Sequence, residues 1–363
     1  MVTPMDTRSA PTDDFSGRLI DDGAQLLRGP GLRPKVMREF RLHLGSPFLS
    51  LFPAAMFDQV AVVEVAAAVD ATGRFAENFA DRGVRSLFSS IGGVVGDPAQ
   101  RAESARWLKQ MHREVHGNGR GYYSDVRYSA LNPELWTWIA NSGHRFIMVT
   151  FPLCTGIIPT SAEKDAMYRF LRYNAADLEL RSSSGKLATT WAEFEKQYNA
   201  IAETRVSSSP FLRDQYAGLT KLPLPTLGMS RASRSAMTPF WKLIRGYGGH
   251  LIQLCSYMTM HPAVAEAVGY RPSRAAEAEF RVIVAAMRLL WRTLPEKART
   301  DSMIYERLQL EQMELDGQTT GAAYCDRRAR FEERRRRIIA YGERYKLDSF
   351  GVPESRGGCP VGR

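Results

Sequence analysis

Three features of this 363-residue sequence predict an all-α fold built as one large helical domain. Apolar residues recur at helical spacing through most of the chain, while period-two alternation is nearly absent. Helix-start signals stand in front of these segments, and no repeat or linker-like gap breaks the chain between about residue 35 and residue 320. Residues 1 to 33, rich in Pro, Gly, Asp and Ser, are expected to form a loosely ordered arm. Residues 34 to 320 would form the domain, and 321 to 363 an arginine-rich helix and tail.

In chain order the expected helices begin with 34 to 44 and 52 to 70. The apolar run at 48 to 69 is interrupted by Pro53, Asp58, Gln59 and Glu64, so a buried helix suits it better than a membrane span. Segment 74 to 95, with a break at Gly83, carries the stripe Val84, Leu87, Phe88, Ile91 and Val95. Asp97 and Pro98 provide an N-cap and a first-turn proline for 98 to 116, which Gly117 closes. Helices at 132 to 150, 161 to 180 and 189 to 204 follow, the second with Glu163 and Asp165 in its first turns and the third with Thr190 as its cap and Glu193 three residues on. The remainder are 232 to 247, 250 to 267, 272 to 294, 301 to 316 and 326 to 346, with His250 and His261 expected as turn and capping residues.

Composition narrows the function. Hydrophobic residues make up 44% and charged residues 24%, as in an ordinary globular chain. Cys154, Cys255, Cys325 and Cys359 lie far apart without CxxC, which reads as reduced thiols. With no signal-peptide core in residues 1 to 33, the expected location is cytoplasmic, free or peripheral to a membrane. Half of the +10 formal charge falls in 326 to 346, with nine Lys+Arg against four Asp+Glu. That segment is read as a solvated helix, or as a contact for an anionic membrane surface; it carries no nucleic-acid motif. Its deletion together with the tail is expected to leave the fold intact.

The chemistry centres on SARWLKQMHREVHG, residues 104 to 117, which holds two of the six histidines. Ala105, Leu108, His112 and Val115 fall on one side of the helix, and His116 is placed beside His112 at the edge of that stripe. A core-facing imidazole needs a partner, because an unpaired buried polar group costs a few kcal/mol. A zincin would need glutamate directly after the first histidine, where Arg113 stands. A di-iron bundle would need Glu-x-x-His, but Lys109 and Arg113 precede the two histidines by three. A single axial imidazole, a satisfied core histidine, or a non-haem metal held by His112 and His116 remain open. So does a cofactor-free binding or scaffold protein docking through its basic C-terminal helix. Upstream, Arg85, Ser89 and Gly92 share a flank of their helix, and Gly92-Gly93 suits either a close neighbouring helix or a flat macrocycle with a small ligand beside it. His144 is expected either to line the pocket or, the favoured role, to be partly exposed near a helix end.

RSLFSSIGGVVGDPAQ, LKQMHREVHGNGRGYYS and YSALNPELWTWIANS together resemble the MpaB-type oxygenases, which include the latex-clearing rubber oxygenases. The resemblance runs over about residues 35 to 300. It implies a haem-b-dependent oxidoreductase, an oxygenase acting on an apolar or isoprenoid-like small molecule with molecular oxygen or a peroxide. It makes His112 the iron ligand, Arg85 the distal cation, Ser89 the counterpart of the usual threonine, and places Gly92 and His116 beside the haem. Rubber oxygenases have a lysine that can cap the iron where this chain has Phe88, so efficient cleavage of polyisoprene is not expected.

Overall fold

The computed structural model describes residues 19–72, 93–94, 96–224 and 231–350, with side chains to 339. Among them are fifteen α-helices and one small sheet, so the chain is all-α as the spacing predicts. The helices are α1 (Asp22–Leu26), α2 (Pro34–Leu44), α3 (Ala54–Val60), α4 (Val63–Thr72), α5 (Pro98–Arg113), α6 (Pro133–Thr155), α7 (Ser161–Ala175) and α8 (Trp191–Arg205). They continue with α9 (Pro210–Ala217), α10 (Arg231–Tyr257), α11 (Pro262–Val268), α12 (Arg274–Thr293), α13 (Glu296–Arg299), α14 (Ser302–Leu315) and α15 (Ala322–Phe350). Between α5 and α6, β1 (His116–Asn118) pairs antiparallel with β2 (Arg127–Ser129).

The long helix α6 is the axis of the fold. Asn132 caps it by accepting from the Glu134 N–H at 3.1 Å, Pro133 occupies the first turn, and Gly156 ends it in the left-handed conformation at φ 74°. Helices α2, α3, α7, α8 and α12 pack around it. Trp138, fully buried on α6, stacks on Tyr198 of α8 with centroids 4.4 Å apart and donates its indole N–H to the Asp58 carbonyl of α3 at 3.1 Å. The Asp58 carboxylate accepts from Tyr198 Oη at 2.7 Å and from Arg145 at 3.4 Å, so one buried acid ties α3, α6 and α8 together. Burial raises its pKa, with Arg145 and Tyr198 opposing the shift.

A second buried ionic cluster joins α2 and α14 to the segment before α1. Glu311 on α14 accepts from Arg41 of α2 and from Arg307 at 2.8 Å, and Arg307 reaches Asp21 at 3.1 Å. Residues 19 to 33, the last part of the expected arm, include α1 and place Leu19 and Leu27 in the core. Helix α15 is also anchored: Phe331 is fully buried, and Arg335 donates to Asp97 at 3.0 Å. This corrects the reading of 326 to 346 as a wholly solvated helix at two positions, Phe331 and Arg335, while most of its other described side chains are at least partly exposed. Arg327, Arg328, Arg335, Arg336 and Arg337 all form ion pairs with carboxylates of the chain itself.

Three of the predicted boundaries that move are set by contacts distant in sequence. The expected helix at 52 to 70 divides after Val60, because Val62 bridges Val206 and the Ala61 carbonyl accepts from the Ser207 N–H at 3.0 Å. The expected break at Gly248-Gly249 is absent, and α10 runs on to Tyr257. Gly249 serves close approach instead, since a Cβ there would lie 2.3 Å from the Leu219 carbonyl oxygen. His250 therefore sits within a helix, bonded to Glu279 at 2.8 Å, whereas His261 caps α11 as expected. The third boundary is the end of α5.

Candidate functional site

Helix α5 starts where the sequence places it. The Asp97 carboxylate accepts from the Gln100 N–H at 2.8 Å and Gln100 returns the bond, a full capping box ahead of Pro98. It ends at Arg113, one turn early. The next backbone groups are taken by the sheet: the Val115 carbonyl accepts from Ala130 N–H at 2.9 Å, and His116 pairs with Ser129. His116 is thus an exposed strand residue and does not share a helical face with His112. The four-residue spacing that suggested a two-histidine metal site loses its geometric basis. Among the described residues, no group of three or more His, Cys, Asp or Glu side chains is placed to hold a metal ion.

His112 is half-buried in the last turn of α5. Its Nδ1 lies 2.8 Å from the Leu108 carbonyl oxygen. A carbonyl can only accept, so the proton of a neutral ring is on Nδ1 and the lone pair on Nε2. The ring packs edge-on against Trp136 of α6, with centroids 5.3 Å apart and planes at 82°. Trp136 is itself fixed by donating its indole N–H to the Leu178 carbonyl at 2.7 Å. Lys109, on the same helix, donates to the carbonyls of Asp177 and Glu179 at 2.7 and 2.9 Å. The ring's position is therefore set from its own helix, from α6, and from the turn at 176 to 179. Arg85, Phe88, Ser89 and Gly92 lie outside the described residues.

Two further histidines belong to the core. His144 was expected near a helix end and partly exposed, but it lies inside α6 and is buried, edge-on to Tyr168 at 5.8 Å. Its Nδ1 has no partner among the described residues, and burial pushes its pKa down to about 4. His43 on α2, which the sequence reading passed over, is fully buried. Its Nε2 is 3.0 Å from Thr150 Oγ1, and that hydroxyl donates to the Phe146 carbonyl at 2.7 Å, so Nε2 is the donor. Burial pushes His43 down to about 3. The signal for His43 was available: with Val36 and Phe40 it continues a stripe at spacings of four and three.

The comparison that decides the family comes from its sequence model: the one described as ER-bound oxygenase mpaB/B'/Rubber oxygenase, catalytic domain, matches residues 39 to 289. The chain belongs to this family. The matched span runs from α2 into α12 and includes the stretch from Arg85 to Gly92 as well as His112. No curated protein and no solved structure gave a match. Membership makes the chain an oxygenase in general terms, an enzyme that brings oxygen to a small-molecule substrate. No helix among the described residues is long and apolar enough to cross a membrane.

Proposed function

We propose that the protein is a haem-b-dependent oxygenase acting on an apolar small molecule, with His112 as the iron ligand. The observation that carries this reading is the 2.8 Å bond between His112 Nδ1 and the Leu108 carbonyl. A ligating histidine needs its second nitrogen held by an acceptor, which fixes the tautomer, orients the ring and makes the ligating nitrogen more basic. Haem iron, when bound, supplies the oxygen chemistry, and the chain supplies position and electrostatics. Trp136 limits rotation of the His112 ring and keeps water from one side of it. By resemblance, Arg85 would stabilise negative charge on the oxygen species without giving up its proton. Ser89 would place a hydroxyl beside that charge, and Gly92 would leave room for the flat face of the macrocycle.

The test is a pyridine haemochrome assay with iron analysis on protein expressed with adequate haem supply. The expected result is b-type haem with about one iron per chain. Protein that stays colourless after haem reconstitution, or that carries iron without porphyrin, contradicts the proposal.

A further inference from the structure

The aromatic core around α6 carries a feature that the binding of haem by His112 does not use. Tyr198 of α8 is fully buried, and its Oη donates at 2.7 Å to the Asp58 carboxylate. Tyr168 and Tyr216 of the same core donate instead to carbonyls, those of Ala188 at 3.1 Å and Gln253 at 2.9 Å. An amide carbonyl does not take up a proton near neutral pH, whereas a carboxylate can. Two indoles stand between Tyr198 and His112. Trp138 stacks on the Tyr198 ring with centroids 4.4 Å apart and planes at 18°. Trp136, two residues earlier on α6, meets the His112 ring at 5.3 Å. Both indoles are buried, and their N–H groups are held by the carbonyls of Asp58 and Leu178.

The charges around Tyr198 decide how its ring can be oxidised. The Arg145 guanidinium lies 5.7 Å over the ring, and a fixed cation there disfavours loss of an electron while the hydroxyl proton stays. Loss of the proton first is also disfavoured, because burial, with Asp58 beside it, raises the Tyr198 hydroxyl well above its usual pKa. Electron and proton therefore leave together. The acceptor already bonded to the hydroxyl is Asp58, whose negative charge is supported by Arg145 and by the His261 N–H, each at 3.4 Å.

We infer that Tyr198 is a redox-active tyrosine at the end of an electron route that runs from the haem edge at His112 through Trp136 and Trp138, with Asp58 as its proton acceptor. The inference rests on the haem reading above. The oxidant is hydrogen peroxide at the haem in the absence of substrate; it takes up two electrons and two solvent protons and becomes two molecules of water. One of those electrons is replaced from Tyr198. The Tyr198 O–H bond breaks, the electron leaves by way of Trp138 and Trp136, and the proton moves along the 2.7 Å hydrogen bond to form a carboxyl O–H on Asp58. A neutral tyrosyl radical remains. Trp138 faces α3 and α8 while Trp136 faces α5, so the electron crosses α6 between them, roughly 10 Å. An oxidising equivalent that no substrate has consumed is thereby moved off the haem and its ligand.

Electron paramagnetic resonance of the haem-loaded full chain, frozen rapidly after mixing with hydrogen peroxide and without substrate, tests the inference. Wild type should give a tyrosyl radical, identified by the narrowing of its signal when the protein is grown on ring-deuterated tyrosine. Tyr198→Phe keeps the ring stacked on Trp138 and should lose this signal, and its haem should bleach several-fold faster in peroxide. Tyr216→Phe, in the same core, should keep the signal. Asp58→Asn holds the shape but cannot take up the proton, and should cut the radical yield by about tenfold or more. Absorption spectra taken before mixing separate the two readings. A chain that takes up no haem contradicts both, whereas haem-loaded protein that forms no tyrosyl radical, or whose radical survives Tyr198→Phe, overturns this one alone.

Discussion

Replacing His144 by phenylalanine should flatten the response of stability to mild acid. In the folded chain the imidazole is 8% exposed, lies edge-on to Tyr168, and makes no hydrogen bond among the described residues. Burial lowers its pKa from 6.5 to about 4, so the unfolded chain takes up a proton first as the pH falls. Stability is therefore lost between pH 6.5 and about 4, with no further loss from this group below that. At pH 5 the unfolded group is about 1.5 units below its pKa, which at about 1.4 kcal/mol per unit costs about 2 kcal/mol. Phenylalanine keeps the edge contact, does not titrate and breaks no bond. Other buried groups act equally in both proteins; Glu163, held down to about 2 by Arg33, responds only to stronger acid. Urea unfolding of both proteins at pH 7 and pH 5 measures the effect. Wild type should lose about 2 kcal/mol more than the variant over that interval, and equal losses within about 0.5 kcal/mol would refute the reasoning.

Four other substitutions probe separate parts of the account. Phe331→Ala on α15 should destabilise the chain by roughly 3 to 5 kcal/mol in urea, so removal of 326 to 363 should lower the melting temperature markedly. Glu311→Ala leaves Arg41 and Arg307 buried without their carboxylate and should cost about 3 to 5 kcal/mol by the same assay. Asp58→Asn keeps shape but removes the charge that Tyr198 and Arg145 address, for a loss of about 2 kcal/mol. Trp136→Phe keeps an aromatic edge beside His112 but loses the bond to Leu178. It should speed haem transfer to apomyoglobin several-fold without changing the resting spectrum.

Local chemistry was legible in the sequence and long-range pairing was not. The caps at Asp97 and Thr190 can be read from three or four residues, and both accept the N–H bonds that the spacing predicts. His112 was picked out by its place in a stripe with Ala105 and Leu108, and its bond to the Leu108 carbonyl is likewise local. The end of α5 was missed because it is set by pairing with β2, more than ten residues ahead, in segments too short to show an alternating pattern. The anchoring of α15 depends on Arg335 meeting Asp97 across 238 residues, which no window reveals. Gly248-Gly249 looked like a helix stop because the close neighbour that requires Gly249 lies about thirty residues upstream, at Leu219. His144 was misplaced because the helix was ended at 150, while α6 continues to Thr155 and is covered on that side by Tyr168.

The central claim is that His112 holds the haem, and absorption spectra of three purified variants test it most directly. His112→Ala should lose haem or take the spectrum of a site without its proximal nitrogen. His116→Ala, altered at an exposed strand position, should keep the wild-type spectrum. Arg85→Ala should retain haem and lose turnover, since a distal cation acts on the oxygen species and does not hold the iron. A His112→Ala protein with an unchanged haem spectrum, beside a His116→Ala protein without haem, would contradict the account.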